Sequence, residues 1–254
     1  MSGAPNRRHP WEVARAAFFR RVLAESGALD EPRDVLDVGA GDGYLARELL
    51  AVMPAGSQVV CLDPNYADED LARFTSPPVP GLSFAREVPA RRFDLVLMLD
   101  VIEHVPDDRA FLAGFVARSL SLGGQVLASV PAWQGLFSAH DVALKHYRRY
   151  SPGSWRKLIE EQGLVAVRGG GLFHALLVPR ALTVAREQLW RLLGREPAAP
   201  DNLGAWRGGA LVTRILGGAL ALDNALTLAL GRRGLSIPGL SEWVLCRPRA
   251  GGAT

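Results

Sequence analysis

Short runs of consecutive apolar residues alternate along the chain with longer stretches in which apolar residues recur every three or four positions. The runs lie at 35–38, 59–62, 82–85, 93–99, 126–130, 164–167 and 242–246. Continuous runs of this length are typical of strands buried on both faces of a parallel sheet. The stretches between them have helical spacing, as at Trp11, Ala14, Phe18 and Val22. The alternation predicts an α/β fold in which a doubly wound, mostly parallel seven-stranded sheet is flanked by helices.

A helical insertion is predicted at residues 172–237, between the last two strands. Two apolar stripes with helical spacing, around Leu189 and Leu222, are separated by the turn-rich sequence REPAAPDN. We expect these helices to form a lid, a dimer interface or a membrane surface that places Arg180, Arg186 and Arg191 near lipid phosphates.

The pattern divides the chain into four segments and leaves no clear membrane span. The segments are 1–30, an N-terminal helical cap; 31–171, the α/β core; 172–237, the insertion; and 238–254, the final strand with a flexible tail. The stretch 172–184 contains Pro179, and the stretch 209–231 carries Arg214 and Asp223. Neither stretch supplies the roughly 20 uninterrupted apolar residues that a span needs.

A glycine-rich turn, DVGAGDG at 37–43, follows the first strand and precedes a helical pattern. Such a turn presents backbone N–H groups and the positive end of a helix dipole to a ligand. Gly39 and Gly41 allow the main chain to approach that ligand closely. Asp63 follows the second strand, where a carboxylate can accept hydrogen bonds from both ribose hydroxyls. Tyr44 occupies the place of the third glycine of a dinucleotide fingerprint, which disfavours NAD.

Composition and charge say more about the protein's possible binding partners than about its fold. The chain has 254 residues, of which 48% are hydrophobic and 22% charged, with a net charge of +3 and two cysteines. These are values of an ordinary globular protein, and the positive charge is too dispersed to predict nucleic-acid binding. The N-terminal sequence has no apolar signal core. We expect a cytoplasmic protein, monomeric or homodimeric, with peripheral membrane contact left open.

The acidic GxGxG turn at 37–43, Asp63 and the run FDLVLMLDVIEHV at 93–105 together resemble the class I S-adenosylmethionine-dependent methyltransferases over residues 30–170. The resemblance implies a Rossmann-like methyltransferase fold and S-adenosyl-L-methionine as cofactor. It assigns cofactor contacts to Arg15, Asp37, Gly39, Gly41, Asp63, Glu87, Leu99 and His104. Within this set, Arg15 would bind the methionine carboxylate or else be a solvated helix residue, and Glu87 would lie near the adenine. His104 would line the cofactor's end of the cleft or else cap a helix.

The segment 131–151, PAWQGLFSAHDVALKHYRRYS, follows the fifth strand and is predicted to face the acceptor. Its HD…HxRRY pattern resembles a methyltransferase subgroup with mostly undefined acceptors. We expect His140 or His146 to act as general base and Asp141 to orient one of them. Substrate contacts are predicted for Arg148, Arg149 and Tyr150. The arginine fork suits a carboxylate or phosphate, although these three residues could instead form a structural clasp.

No metal is expected from the sequence. His140, Asp141 and His146 have suitable ligand types, but no spacing independently supports a metal site.

The predicted function is methyl transfer from S-adenosylmethionine to an oxygen of a small-molecule or lipid- or glycan-linked acceptor with an anionic group. The run LDVIEH lacks the prolines and aromatic residue of the enzymes that methylate base amines. Three alternatives stay open: an N- or C-methyltransferase of a secondary metabolite, an NAD-dependent oxidoreductase, and a non-catalytic cofactor-binding protein.

Overall fold

The computed structural model describes residues 8–195, 206 and 208–249. The helices are α1 (Pro10–Glu25), α2 (Tyr44–Leu50), α3 (Asp68–Phe74), α4 (Asp108–Ser119), α5 (Ala139–Ala143), α6 (Pro152–Glu161), α7 (Leu177–Leu192) and α8 (Ala210–Gly231). The strands are β1 (Asp34–Val38), β2 (Gln58–Leu62), β3 (Leu82–Ala85), β4 (Phe93–Leu99), β5 (Leu120–Pro131), β6 (Leu164–Leu172) and β7 (Ser241–Pro248). The predicted linker REPAAPDN, apart from its first residue, and the predicted tail beyond 249 lie outside the described residues.

All seven strands form one sheet in the order β3-β2-β1-β4-β5-β7-β6, which confirms the predicted fold class. The strands β1 to β5 pair in parallel, whereas β7 runs antiparallel to both β5 and β6. Val38 lies between Leu62 and Met98, so the turns after β1, β2 and β4 leave the sheet at one edge. That edge is where open α/β sheets bind their ligands.

Apolar side chains fill both faces of the sheet, as the continuous apolar runs predict. Phe18 and Phe19 of α1, Leu49 of α2 and Leu220 of α8 belong to the core on one face. The core on the other face includes Leu112 of α4 and Trp155 of α6. Helices therefore cover both faces of the sheet, and the polar residues of the candidate site lie at the ends of the strands.

Two strands extend the furthest beyond their predicted ends. β5 begins at Leu120 rather than residue 126, and β6 continues through 169–171, three consecutive glycines, to Leu172. β6 pairs with β7 along this extension. A Cβ on Gly171 would lie 2.3 Å from the Ile237 carbonyl oxygen, so the glycine run lets a second backbone segment cross the strand closely. Residue propensity alone disfavours a strand there, and tertiary pairing overrides it.

Both insertion helices are attached to the core by polar contacts. On α8, the Asn224 amide donates to the Ala14 carbonyl oxygen at 2.7 Å. On α7, Glu187 accepts a hydrogen bond from the backbone N–H of Ala139 at 3.0 Å. The insertion is therefore packed against α1 and against the loop after β5, while the predicted division of the chain into segments stays a prediction.

The helix α8 is long and apolar enough to cross a membrane by length and composition, with a mean hydropathy of 1.3, although Arg214 and Asp223 interrupt its apolar sequence. Core helices of water-soluble proteins meet the same criterion. Asp223, Asn224 and Thr227 are buried on the side of α8 that faces α1 and β6. Leu211, Ile215 and Leu222 are exposed on α8, and Leu182, Leu189 and Leu192 on α7.

The packing of α1 on the sheet can be tested with Phe18→Ala. The Phe18 ring is 1% exposed, and its centroid lies 5.3 Å from that of Trp243 on β7. Removing this ring leaves a cavity, so we expect the free energy of unfolding to fall by about 3–5 kcal/mol. Leu192→Ala, at a site that is 84% exposed, should change it by less than about 0.5 kcal/mol. Urea titrations compare the variants, and equal losses would contradict the packing described here.

Candidate active site

A cavity of about 300 Å³ lies at the carboxyl end of β1, beneath α1 and beside the glycine turn. Five of the predicted cofactor residues line it: Arg15, Asp37, Gly39, Gly41 and Leu99. A larger cavity of about 790 Å³ opens between α6, β6 and β7. That cavity is away from the carboxyl ends of β1, β2 and β4, so the smaller one is the candidate cofactor site.

The glycine turn is shaped for close approach to a ligand. The N–H of Gly39 donates to the Leu62 carbonyl oxygen at 2.7 Å, and a Cβ on Gly39 would lie 2.6 Å from Val101 Cγ2. Gly41 has a φ of +55°, and no atom lies within 4 Å of the position a Cβ would take. Any side chain at Gly41 would enter the open space of the cavity. This is a cradle for a ligand held by backbone groups.

Asp37 and Arg15 place opposite charges in the same cavity. Asp37 is 4% exposed, and burial raises its pKa to about 7, while Arg15 acts in the opposite direction. A buried carboxylate without strong hydrogen-bond support suits a cationic partner such as the amino group of a bound amino-acid moiety. The cavity's residues therefore fit S-adenosylmethionine.

Arg15 is itself held by Asp100, the residue after β4. Asp100 has a φ of 58°, an uncommon conformation for a residue with a side chain. Its carboxylate accepts hydrogen bonds from Arg15 Nη1 and from Ser129 Oγ, the latter at 3.0 Å. Because Arg15 is already paired with Asp100, it would have to bind Asp100 and the methionine carboxylate at the same time. Strained residues of this kind concentrate at functional sites.

Three predicted cofactor residues lie outside the lining of the cavity. Asp63 follows β2, and its Oδ1 accepts hydrogen bonds from the N–H and the amide of Asn65, at 2.9 and 3.1 Å. Its Oδ2 has no donor among residues 8–195, 206 and 208–249, and so can receive ribose hydroxyls. Glu87 is exposed after β3, and His104 ends a short 3-10 helix after β4.

Asp141 is the centre of a buried network in the predicted acceptor segment. It is fully buried, and it accepts hydrogen bonds from His146 Nδ1 at 2.9 Å, from Arg149 Nε at 2.8 Å and from Arg180 Nη2. His146 and Arg149 bond its Oδ1, whereas Arg180 and the Ser138 N–H, the latter at 2.9 Å, bond its Oδ2. Burial alone would raise the pKa of Asp141, but His146 and the two arginines outweigh burial and lower it to about 2.

The structure distinguishes the two histidines proposed as the base. His146 bonds Asp141 directly, and its side chain is 8% exposed. The ring centroid of His146 lies 4.6 Å from that of His104, and its Nε2 lies 3.9 Å from Glu103 Oε1. His140 is half-buried near the start of α5, and burial followed by the Arg180 charge lowers its pKa. The Asp141–His146 pair therefore has the arrangement predicted for an oriented base.

Arg148, Arg149 and Tyr150 have the contacts of a structural clasp, which was the alternative to acceptor binding. Arg148 Nη1 lies 2.9 Å from Asp108, and the Tyr150 hydroxyl donates to the same carboxylate at 2.7 Å. Arg149 is bound to Asp141 and to the Ala132 carbonyl oxygen. Arg148 and Tyr150 thus join the segment to α4, and Arg149 makes its bonds within the segment. This geometry opposes their predicted role in binding the acceptor.

Three site residues were not predicted from the sequence. Glu103 is fully buried near Asp100, His104 and His146. Arg180 and Glu187 come from α7 of the insertion, where Arg180 bonds Asp141 and Ser138. The placement of Arg180 near lipid phosphates is therefore wrong, because the side chain points inward. The seven-residue spacing of Arg180 and Glu187 puts them on one helix face, and this is the signal that could have identified them.

Fold and cavity define a class I S-adenosylmethionine-dependent methyltransferase. The methyltransferase-domain family matches residues 11–168, and the chain belongs to that family. The solved S-adenosylmethionine-dependent methyltransferase of Mesorhizobium loti has the same fold, with a TM-score of 0.56 at 15% identity. That comparison covers 92% of this chain and 99% of the other.

Two curated relatives resemble the core. A ubiquinone biosynthesis O-methyltransferase of Paramagnetospirillum magneticum is 33% identical over 139 residues, 49% of this chain and 56% of the relative. An uncharacterized methyltransferase of Mycobacterium tuberculosis is 31% identical over 150 residues, 52% of this chain and 57% of the relative. The chain thus matches a little over half the length of these relatives.

The protonation of Asp37 predicts a pH dependence of stability. In the unfolded chain Asp37 loses its proton near pH 4, whereas in the folded, cofactor-free protein it retains the proton to about pH 7. Its contribution is fully present below pH 4 and is lost as the pH rises through 7. As the pH rises from about 4 to about 7, we expect the free energy of unfolding of Asp37→Asn to increase relative to that of wild type. At about 1.4 kcal/mol per pKa unit, the increase is a few kcal/mol at most. Urea unfolding at several pH values measures this, and parallel profiles would contradict it.

Proposed function

We propose that the protein transfers a methyl group to a hydroxyl oxygen of a small-molecule or lipid-linked acceptor. S-adenosylmethionine, when bound, supplies the methyl group on a sulfonium, which is a good leaving group. The residues of this chain then have to bind and align the acceptor, exclude water and remove the hydroxyl proton. The Asp141–His146 pair is the observation that carries the proposal.

The electrostatics of that pair suit proton removal. The pKa of Asp141 is held far below neutral, so its carboxylate stays ionised and accepts the Nδ1–H of His146. That hydrogen bond fixes the neutral tautomer in which Nε2 carries a lone pair. Nε2 is therefore the atom of the pair that can act on an acceptor hydroxyl.

The position of the pair supports methyl transfer near the cofactor cavity. Leu99 lines the cavity at the end of β4, and Asp100 follows it. Asp100 influences the pKa values of both Glu103 and His104, and the His104 ring contacts that of His146. The charge of Asp100 therefore reaches the group of residues that includes His146, which places the pair in the electrostatic surroundings of the cavity.

An oxygen acceptor has support from the curated relatives, one of which is named an O-methyltransferase of ubiquinone biosynthesis. Methylation at nitrogen or carbon is the alternative. The anionic group that the sequence analysis assigned to the acceptor is not part of this proposal, because Arg148 and Arg149 are paired with Asp108 and Asp141.

The role of His146 can be tested with a matched pair of variants. We expect His146→Ala to lower kcat at least about 100-fold, because general-base catalysis contributes that much or more. His140→Ala should lose less than about tenfold, since its ring has no hydrogen bond to Asp141 within the described part of the chain. Release of S-adenosylhomocysteine is measured with a panel of phenolic and alcoholic acceptors, alongside cofactor affinity. Wild-type turnover in both variants would refute the assignment.

We further propose that the exposed apolar residues of α7 and α8 make peripheral contact with an anionic membrane that carries a lipid-linked acceptor. Leu182, Leu192 and Leu222 are 66%, 84% and 73% exposed, and Arg186 and Arg191 lie on the same insertion. The protein should co-sediment with vesicles containing phosphatidylglycerol, and Leu182→Asp with Leu192→Asp should reduce the bound fraction. Equal sedimentation with and without anionic vesicles, or burial of the leucines in a homodimer, would contradict membrane contact.

A further inference from the structure

Three potential metal ligands converge beside the cofactor cavity. One carboxylate oxygen of Glu103 and one ring nitrogen each of His104 and His146 all lie within 4.8 Å of one another. We propose that these three side chains bind a divalent first-row transition-metal ion such as Zn²⁺ or Mn²⁺. The set differs from the group His140, Asp141 and His146 that was considered from the sequence.

Glu103 is the strongest indication of a missing ligand. Its exposure is 0%, and neither of its carboxylate oxygens has a hydrogen-bond partner in the described part of the chain. Buried carboxylates are normally paired or bound to a metal, since an unpaired one is costly. A cation is the partner that this environment lacks.

The spacing of His146 and Glu103 removes the simplest alternative. Because Nδ1 of His146 is hydrogen-bonded to Asp141, the other ring nitrogen, Nε2, is the one that faces Glu103 Oε1, at 3.9 Å. A proton shared between these two atoms would need a distance near 2.8 Å. A spacing of 3.9 Å leaves room for a cation between them instead.

The ligand atoms need only small movements to reach bonding distance. Bonds of about 2.0–2.2 Å to one ion hold its ligand atoms roughly 3–4 Å apart. The observed spacing is up to 4.8 Å, so side-chain shifts of less than about 1 Å are sufficient. Two imidazole nitrogens with one carboxylate favour Zn²⁺, Mn²⁺ or Fe²⁺ over Mg²⁺, which prefers oxygen ligands.

The outer contacts match those of metal-bound histidines. Such histidines usually donate their second ring N–H to a carboxylate or a backbone carbonyl, which orients the ring. His146 has such a contact, because its Nδ1 is hydrogen-bonded to Asp141 at 2.9 Å. Arg149 and Arg180 in turn hold Asp141 in place. The ring orientation is thus fixed by three further side chains before any ion binds.

This inference rests on the proposed hydroxyl methylation and refines its chemistry. Three protein ligands leave coordination positions open, and an acceptor hydroxyl can occupy one of them. The positive charge lowers the pKa of that hydroxyl, so its proton can leave to water. With the ion bound, His146 Nε2 is a metal ligand that positions the acceptor, and water replaces it as the proton acceptor; direct proton removal by Nε2 applies to the metal-free protein.

The test uses the purified full chain after treatment with a chelator. Calorimetric titrations with ZnCl₂, MnCl₂ and MgCl₂ are run on wild type, Glu103→Gln, His104→Gln and the control His140→Gln. We expect about one Zn²⁺ or Mn²⁺ per chain in wild type and in His140→Gln, with at least tenfold weaker binding in the other two variants. A cooperative urea unfolding transition reports whether each variant is folded, and His104→Gln provides an exposed substitution if Glu103→Gln does not fold.

The two proposals fail in distinguishable ways. The metal site is refuted if none of the three ions binds, or if Glu103→Gln and His104→Gln bind as tightly as wild type. The site stands, and hydroxyl methylation is refuted, if an ion binds as expected but only nitrogen or carbon acceptors are methylated. Methylation of a hydroxyl by chelator-treated protein at the full rate would also refute the catalytic use of the ion.

Discussion

The buried carboxylate of Asp141 is the constraint on which the candidate active site depends. Its hydrogen-bond donors come from the backbone of Ser138, the ring of His146, and the guanidinium groups of Arg149 and Arg180. A fully buried carboxylate would be costly without them, and together they keep it ionised. One residue therefore orders the acceptor segment, orients the histidine and attaches α7 to the core.

The sheet determines where this network can act. Parallel pairing of β1, β4 and β5 brings the residues after their carboxyl ends to a single edge. The glycine turn and Asp37 line the candidate cofactor cavity at that edge, and the charge of Asp100 acts on the pKa values of Glu103 and His104. Arg15 bridges the two regions through its pairing with Asp100. The cofactor and acceptor regions consequently share charged groups, and a change in one alters the electrostatics of the other.

Local features of the sequence predicted the fold and much of the cofactor region. Apolar runs identify buried strands, and Gly39 and Gly41 mark backbone conformations that residues with side chains rarely adopt. Both signals can be recognised in the sequence without tertiary information. The acceptor region was harder to predict, because its arrangement depends on contacts between residues that are far apart in the sequence. Arg149 and Arg180 could equally have faced solvent, and only the tertiary structure shows that they converge on Asp141. The isolation of Glu103 is likewise visible only once its surroundings are known.

The central claim is that the turn at 37–43 and Asp63 bind S-adenosylmethionine beside this network. Calorimetric titration with S-adenosylhomocysteine and, separately, with NAD tests it most directly, on wild type and on Asp63→Ala. We expect micromolar binding of S-adenosylhomocysteine alone, weakened about tenfold or more by the substitution, because charged hydrogen bonds to the ribose are lost. Binding of NAD in its place, or S-adenosylhomocysteine binding that is indifferent to Asp63, would contradict the account.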